Sequence, residues 1–280
     1  MVARVSIPAA ALLLAALMLI PISPCADAVA AEARLRFSLT YEMFWHGLPV
    51  FSMATSGTLD DKHYTVASTD RTLGLFGLIV DYNGHAETDG AILGGISWPS
   101  VRPKSYRQYA HWRGDDRHVT LEYGESGLRN ADVDPPPERD DRDPVPASLQ
   151  YGTIDPLSAS ILLGAYARPQ EPCDARVPIF DGRQRYDLRL DYIGMETIPK
   201  NVDAAFGGET IKCRITIERI AGFIKKYASA PPRRPSVVWL ARFADGRFLV
   251  PVQIEIDTSW GDVIGHLTAI TIRRDPSDAN

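Results

Sequence analysis

The chain has 280 residues, 45% of them apolar and 23% charged, with a formal net charge of −5. That is enough for one large soluble domain or two small ones, and the mild acidity gives the chain no electrostatic reason to bind nucleic acid, which calls for a basic face. Its 21 glycines and 21 prolines interrupt the chain often and point to many short strands joined by turns.

Arg4, the apolar run Ile7–Ile20 and the triplet Ala28-Val29-Ala30 make the three-part pattern of a secretory signal peptide with an A-x-A cleavage site. The run falls short of the ~20 apolar residues that a bilayer span needs. Residues 1–30 therefore read as a cleaved signal, with an uncleaved anchor or a lipid on Cys25 as the alternatives; Pro24 disfavours the lipid. Cleavage leaves no transmembrane span and is expected to export the chain. Residues 31–274 are then expected as one mainly-β domain and 275–280 as a tail. Of three cysteines, Cys173 and Cys213 survive cleavage, in a compartment where thiols tend to pair. A disulfide between them would close a loop of about 40 residues, worth roughly 4 kcal/mol by chain entropy; the alternative is two separate buried thiols.

From Leu35 to Trp45, apolar and mostly polar residues alternate with a period of two, the signature of a strand with one buried face. His46-Gly47-Leu48-Pro49 turns the chain, Val50–Leu59 runs back, and His63–Thr69 follows the turn at Asp60-Asp61-Lys62. Leu73–Tyr82 breaks the rhythm: it is apolar all round and carries two glycines. It reads as a buried strand or short helix filling the core, or as a flap over a ligand cavity lined by Leu75, Phe76 and Leu78. Strand patterns resume at Tyr82–Thr88, Ser105–Trp112 and Arg117–Tyr123. Residues 131–147, rich in proline and acids, are expected as a solvated, disordered loop. Asp155 is a good N-cap, Pro156 suits a first helical turn, and Leu157–Tyr166 supplies the helix.

The second half is strand after strand. Arg176–Phe180 and Arg183–Ile193 flank Asp181-Gly182, a strong hairpin signal. Glu209–Arg219, Val237–Phe243, Arg247–Thr258 and a last run through Ile272 follow. Arg183 and Arg185 share one strand face, where they form salt bridges with acids such as Glu218 or give polar contacts to a ligand. Lys225-Lys226 and Arg233-Arg234 make a small basic patch around Pro231-Pro232, read as a solvated loop with contact to phosphate headgroups as the alternative.

The six histidines are scattered without metal-ligand spacing, although His111 and His118 flank one hairpin. No G-x-S-x-G, G-x-G-x-x-G or P-loop is present. No catalytic residue, metal or cofactor is expected. The block Val177-Pro178-Ile179-Phe180-Asp181-Gly182-Arg183-Gln184-Arg185-Tyr186-Asp187-Leu188 resembles the bacterial domain of unknown function 3108. So do Cys173, Cys213-Arg214, Ile220-Ala221-Gly222-Phe223, the Leu249–Ile254 stretch with Gly261, and the opening Tyr41…Gly47-Leu48-Pro49-Val50. The resemblance implies an exported protein of Gram-negative bacteria with no established enzymatic activity and a curved antiparallel sheet. It carries over no catalytic residues.

The expected fold is mainly β: a strongly curved antiparallel sheet, open β-barrel or β-spiral of about a dozen strands with one or two short helices. The leading function is a non-catalytic periplasmic protein that binds an envelope component or partner protein and supports cell-envelope integrity. A second is a periplasmic carrier holding the acyl chains of a lipid or lipoprotein in a concave apolar cavity. A third is a hydrolase whose site is assembled from residues distant in sequence. The carrier requires a continuous apolar cavity and the hydrolase converging polar groups with shifted pKa values.

Overall fold

Alternating side chains carry through most of the chain and build thirteen described strands into a single antiparallel sheet. The computed structural model describes residues 34–93, 100–112, 114–166, 173–228, 234–244, 246, 248–258 and 261–275. The signal reading of 1–30, and the tail reading beyond Asp275, lie outside the described residues. Every described residue falls in one compact unit, 32–277.

The first meander runs β1 (Arg34–Trp45), β2 (Leu48–Leu59), β3 (His63–Thr72), α1 (Gly74–Ile79), β4 (Tyr82–Leu93), β5 (Ser100–Trp112), β6 (Asp115–Gly124) and β7 (Gly127–Asp134). A crossover containing the helical turn α2 (Ala147–Gln150) and the helix α3 (Pro156–Tyr166) leads to the second. That comprises β8 (Ala175–Phe180), β9 (Arg185–Ile198), β10 (Gly208–Ala221), the turn α4 (Lys225–Ala228), β11 (Ser236–Phe243), β12 (Phe248–Thr258) and β13 (Gly261–Asp275). In the sheet order β7-β6-β5-β4-β3-β2-β1-β13-β12-β11-β10-β9-β8, the first and last strands meet in the middle. Their ladder extends from Arg34↔Asp275 to Trp45↔Val263. The edges β7 and β8 share no ladder, so the sheet does not close into a barrel.

The sheet nevertheless wraps around α3, which packs on β3, β4 and β5 from one half and on β8 and β12 from the other. One register row shows how the inner face is built: Phe37, Gly57, Val66, Thr88, Tyr106, Leu121 and Ala131 are successive cross-strand neighbours from β1 to β7. Gly57 is required there, since a Cβ would lie 2.7 Å from the Phe37 ring and 2.3 Å from the Thr65 carbonyl oxygen. The main core joins this face to Ile161 and Leu162 of α3, Val177 and Ile179 of β8, and Val250 and Val252 of β12. Four consecutive buried residues, Val238–Ala241, show that both faces of β11 are covered. Cys173 and Cys213, both fully buried with Cα atoms 5.8 Å apart, form a disulfide linking the chain just before β8 to β10 across β9.

Two expectations are corrected. Residues 131–147 are packed: Ala131–Asp134 continues β7, Pro137–Asp140 forms a 3₁₀ turn, and Arg142 and Val145 are buried. Composition weighed the segment alone, whereas Asp140 is matched by Arg117 and Arg183, and Asp143 by Lys225, all far away in sequence. The apolar run Leu73–Tyr82 does not fill the core either. Its helical part α1 leaves Leu75 78% and Leu78 84% exposed.

Candidate functional site

The open side of the sheet is bridged by side chains instead of a ladder. Asp140 receives hydrogen bonds from Arg117 of β6, and Arg183 Nη1 and Arg142 Nε lie 3.5 Å and 3.8 Å from its Oδ2. Arg183 Nη2 donates to the Asp134 carbonyl at 2.9 Å, and Arg142 Nη1 to the Gly222 carbonyl at 3.2 Å. The hydrogen-bonded Arg117 guanidinium, helped by the charges of Arg183 and Arg142, holds the Asp140 carboxyl below the usual range against the opposing effect of burial. The turn of the β8–β9 hairpin sits on β6: Gly182 has φ +93°, and a Cβ there would lie 2.3 Å from Val119 Cγ1. This constellation of largely covered arginines therefore ties the two edges of the sheet together.

A second polar cluster lies inside. Asp155 caps α3 by accepting the Ser158 backbone N–H at 2.9 Å and the Ser158 hydroxyl, with Thr88 Oγ1 3.2 Å from its Oδ2. Tyr64 Oη and Ser158 Oγ share a hydrogen bond of 2.7 Å. Burial pushes the Asp155 carboxyl up to about 6, only partly opposed by these hydrogen bonds. Such a shift marks candidate acid–base groups. Here, however, Tyr64, Thr88, Asp155 and Ser158 are all closed to solvent. The cluster pins α3 to β3 and β4.

The accessible site is elsewhere. At the end of the sheet where β9 begins and β10 and β12 finish, a cleft of about 620 Å³ opens between them. Its apolar lining is Tyr186, Ile215, Ile217, Phe223 and Ile256, with Asp181, Gln184, Arg219, Arg234, Ser236 and Asp257 among the polar groups. Tyr186 stands opposite Arg219, and Ile217 opposite Leu188. The volume falls within the roughly 300–1,000 Å³ of small-molecule sites. A shallower cleft of about 480 Å³ is lined by Phe243, Ala244, Ile270, Ile272 and Arg274.

Of the residues singled out from sequence as ligand contacts, Leu75, Phe76, Leu78, Arg183 and Arg185 do not line the larger cleft, whereas Arg234 of the basic patch does. Leu75 and Leu78 project into solvent, and Phe76 sits half-buried beside them on α1. Arg183 belongs to the edge-bridging cluster and lies in the turn before β9. Arg185 donates to the Leu149 carbonyl and pairs with Asp187. Glu218 pairs instead with Arg176 at 2.7 Å and Arg189 at 3.5 Å. Of the basic patch, Lys225 is taken by Asp143 and Arg234 by Asp257 and Asp262. His111 faces Asp116 and Asp81, while His118 packs on the Tyr109 ring. The cleft was missed because Ile215 and Ile217 carry the same period-two signal as any core strand. Only the three-dimensional position of α3 leaves them uncovered.

Among the described residues, no three His, Cys, Asp or Glu side chains gather as a metal site, and no helix is long and apolar enough to cross a membrane. No curated protein matches the sequence. Among solved structures, the chain is similar to a β-barrel-like protein of the domain of unknown function DUF1849 from Brucella abortus. The two are 11% identical, with 88% of this chain and 99% of that one covered and a TM-score of 0.44. The family model described as a protein of unknown function, DUF3108, matches residues 40–268, and the chain belongs to that family.

Proposed function

We propose that this is a non-catalytic binding protein of the bacterial envelope, exported to the periplasm, whose seat for an envelope component is the cleft between Tyr186 and Ile256. The observation that carries the reading is that cleft: a set of apolar side chains on the inner side of a sheet, left uncovered by the helix that fills the rest. Ile217 is 55% exposed there. Because α3 occupies the interior, a long internal channel for acyl chains is not favoured over a ligand held at the mouth. The closure of the Asp155 cluster favours binding over hydrolysis in the same way. Export rests on the leader pattern in residues 1–30.

The test is to express the chain with its own leader, isolate it natively from the periplasm, and identify bound small molecules and crosslinked partners by mass spectrometry. The wild type should be recovered from that fraction, beginning near Ala31, with a bound component that Ile217→Asp lacks. Retention in the cytoplasm would overturn export, and identical content in the variant would overturn the seat.

A further inference from the structure

We infer that the cleft takes one uncharged alkyl or acyl chain, an assignment that rests on the cleft being the binding seat. Five apolar side chains from β9, β10, β12 and the segment after β10 supply its walls. The charges around them are engaged within the protein. Arg234 pairs with Asp257 at 2.9 Å and with Asp262 at 2.8 Å. Asp181 accepts the backbone N–H groups of Arg183 at 2.8 Å and Gln184 at 2.6 Å. The Arg219 guanidinium lies 5.3 Å from the centre of the Phe223 ring.

An ionic headgroup entering this setting would give up its hydration beside an arginine already held by two acids, an aspartate already held by backbone N–H groups and an arginine already stacked on a ring. An uncharged chain needs only to displace water from exposed isoleucine surface, which is favourable by about 0.8 kcal/mol per buried methylene. A hydroxyl or ester oxygen at its end has Gln184 and Ser236 within the same cleft.

The experiment is calorimetric titration of the mature, disulfide-bonded protein with 1-octanol, 1-decanol and 1-dodecanol, and with dodecanoate and dodecyltrimethylammonium below their micelle concentrations. Affinity should rise about fourfold per methylene, so about fifteenfold from octanol to decanol. Both ions should bind at least about tenfold more weakly than dodecanol, since their charge finds no partner. Ile217→Asp should remove alkanol binding while the thermal transition stays close to wild type. Should that variant not fold, Ile217→Asn takes its place. Either ion binding as tightly as dodecanol, with binding still lost in the Ile217 variant, would overturn the uncharged class and leave the seat standing. Alkanol binding that survives the Ile217 variant would overturn the seat itself. No binding of any chain would overturn both.

Discussion

Asp155 couples the position of α3 to pH. Its carboxyl is fully buried and titrates at about 6 in the folded protein, against 3.8 for the unperturbed group. Between those values the folded state holds a proton that the unfolded state has lost, so stability falls as pH rises from about 4 to about 6. Above pH 6 the penalty is complete, at about 3 kcal/mol. Asparagine keeps the capping geometry without the charge. Asp155→Asn should therefore flatten the profile between pH 4 and 6 and leave the protein more stable at pH 7, as urea unfolding at several pH values would show. A stability difference between wild type and Asp155→Asn that stays constant across that window would contradict the assignment, since the lowered carboxyls such as Asp140 contribute equally to both proteins. The residue was legible in sequence as a helix cap. Its shifted titration was not, because burial depends on β3 and β4 arriving from some seventy residues away.

At the scale of elements, the connector between β7 and α3 matters more than its composition implies. Asp140 sets a single carboxylate among three nearly buried guanidiniums, so Asp140→Asn should cost about 3–5 kcal/mol, the range for stranding buried charge. Because arginine contacts hold the carboxyl below its usual range, the contribution is present above the ordinary carboxylate pKa. It disappears as pH falls through the lower folded value. Asp143, paired with Lys225 on the surface, is the control: Asp143→Asn should leave stability close to wild type in the same denaturation series, because water screens an exposed pair. Equal effects from the two would refute the edge-bridging role. The exposed leucines of α1 make the opposite case. Leu75→Ser and Leu78→Ser together should shift the thermal midpoint little, because neither side chain leaves water on folding. A large loss would mean that α1 packs where the structure leaves it open.

These elements also show what sequence patterns can and cannot deliver. Leu35–Trp45 was readable because Phe37, Leu39 and Tyr41 are buried while Arg36 and Ser38 face solvent. Strand β7 was not: as an edge strand carrying Arg129, Asn130 and Asp132, it is exposed along most of its length and has no alternation to read. The two-glycine apolar run at α1 resembled core because hydrophobicity alone does not say which side is covered. The cleft residues failed for the same reason in reverse, since exposed isoleucines on an inner face look like buried ones.

For the whole molecule, the decisive feature is that the ends of the described chain pair at the centre of the sheet while the edges come from its middle. Arg34 is the cross-strand neighbour of Asp275, so a short Gly/Ser linker can join them with little distortion. The Glu125-Ser126 turn between β6 and β7 is exposed and lies toward the edge of the sheet, the kind of site where new termini are tolerated. A permutant beginning at Ser126 and ending at Glu125, with 34 and 275 linked, keeps every ladder and the Cys173–Cys213 bridge. It should unfold in one cooperative transition within a few degrees of the parent. Opening the chain inside the central ladder instead, between Thr40 and Tyr41, cuts the strand that joins the two meanders and should abolish that transition. Differential scanning calorimetry of the two permutants tests the topology directly. If the Ser126 form fails to fold while the Thr40/Tyr41 form survives, the sheet is not centred on β1 and β13.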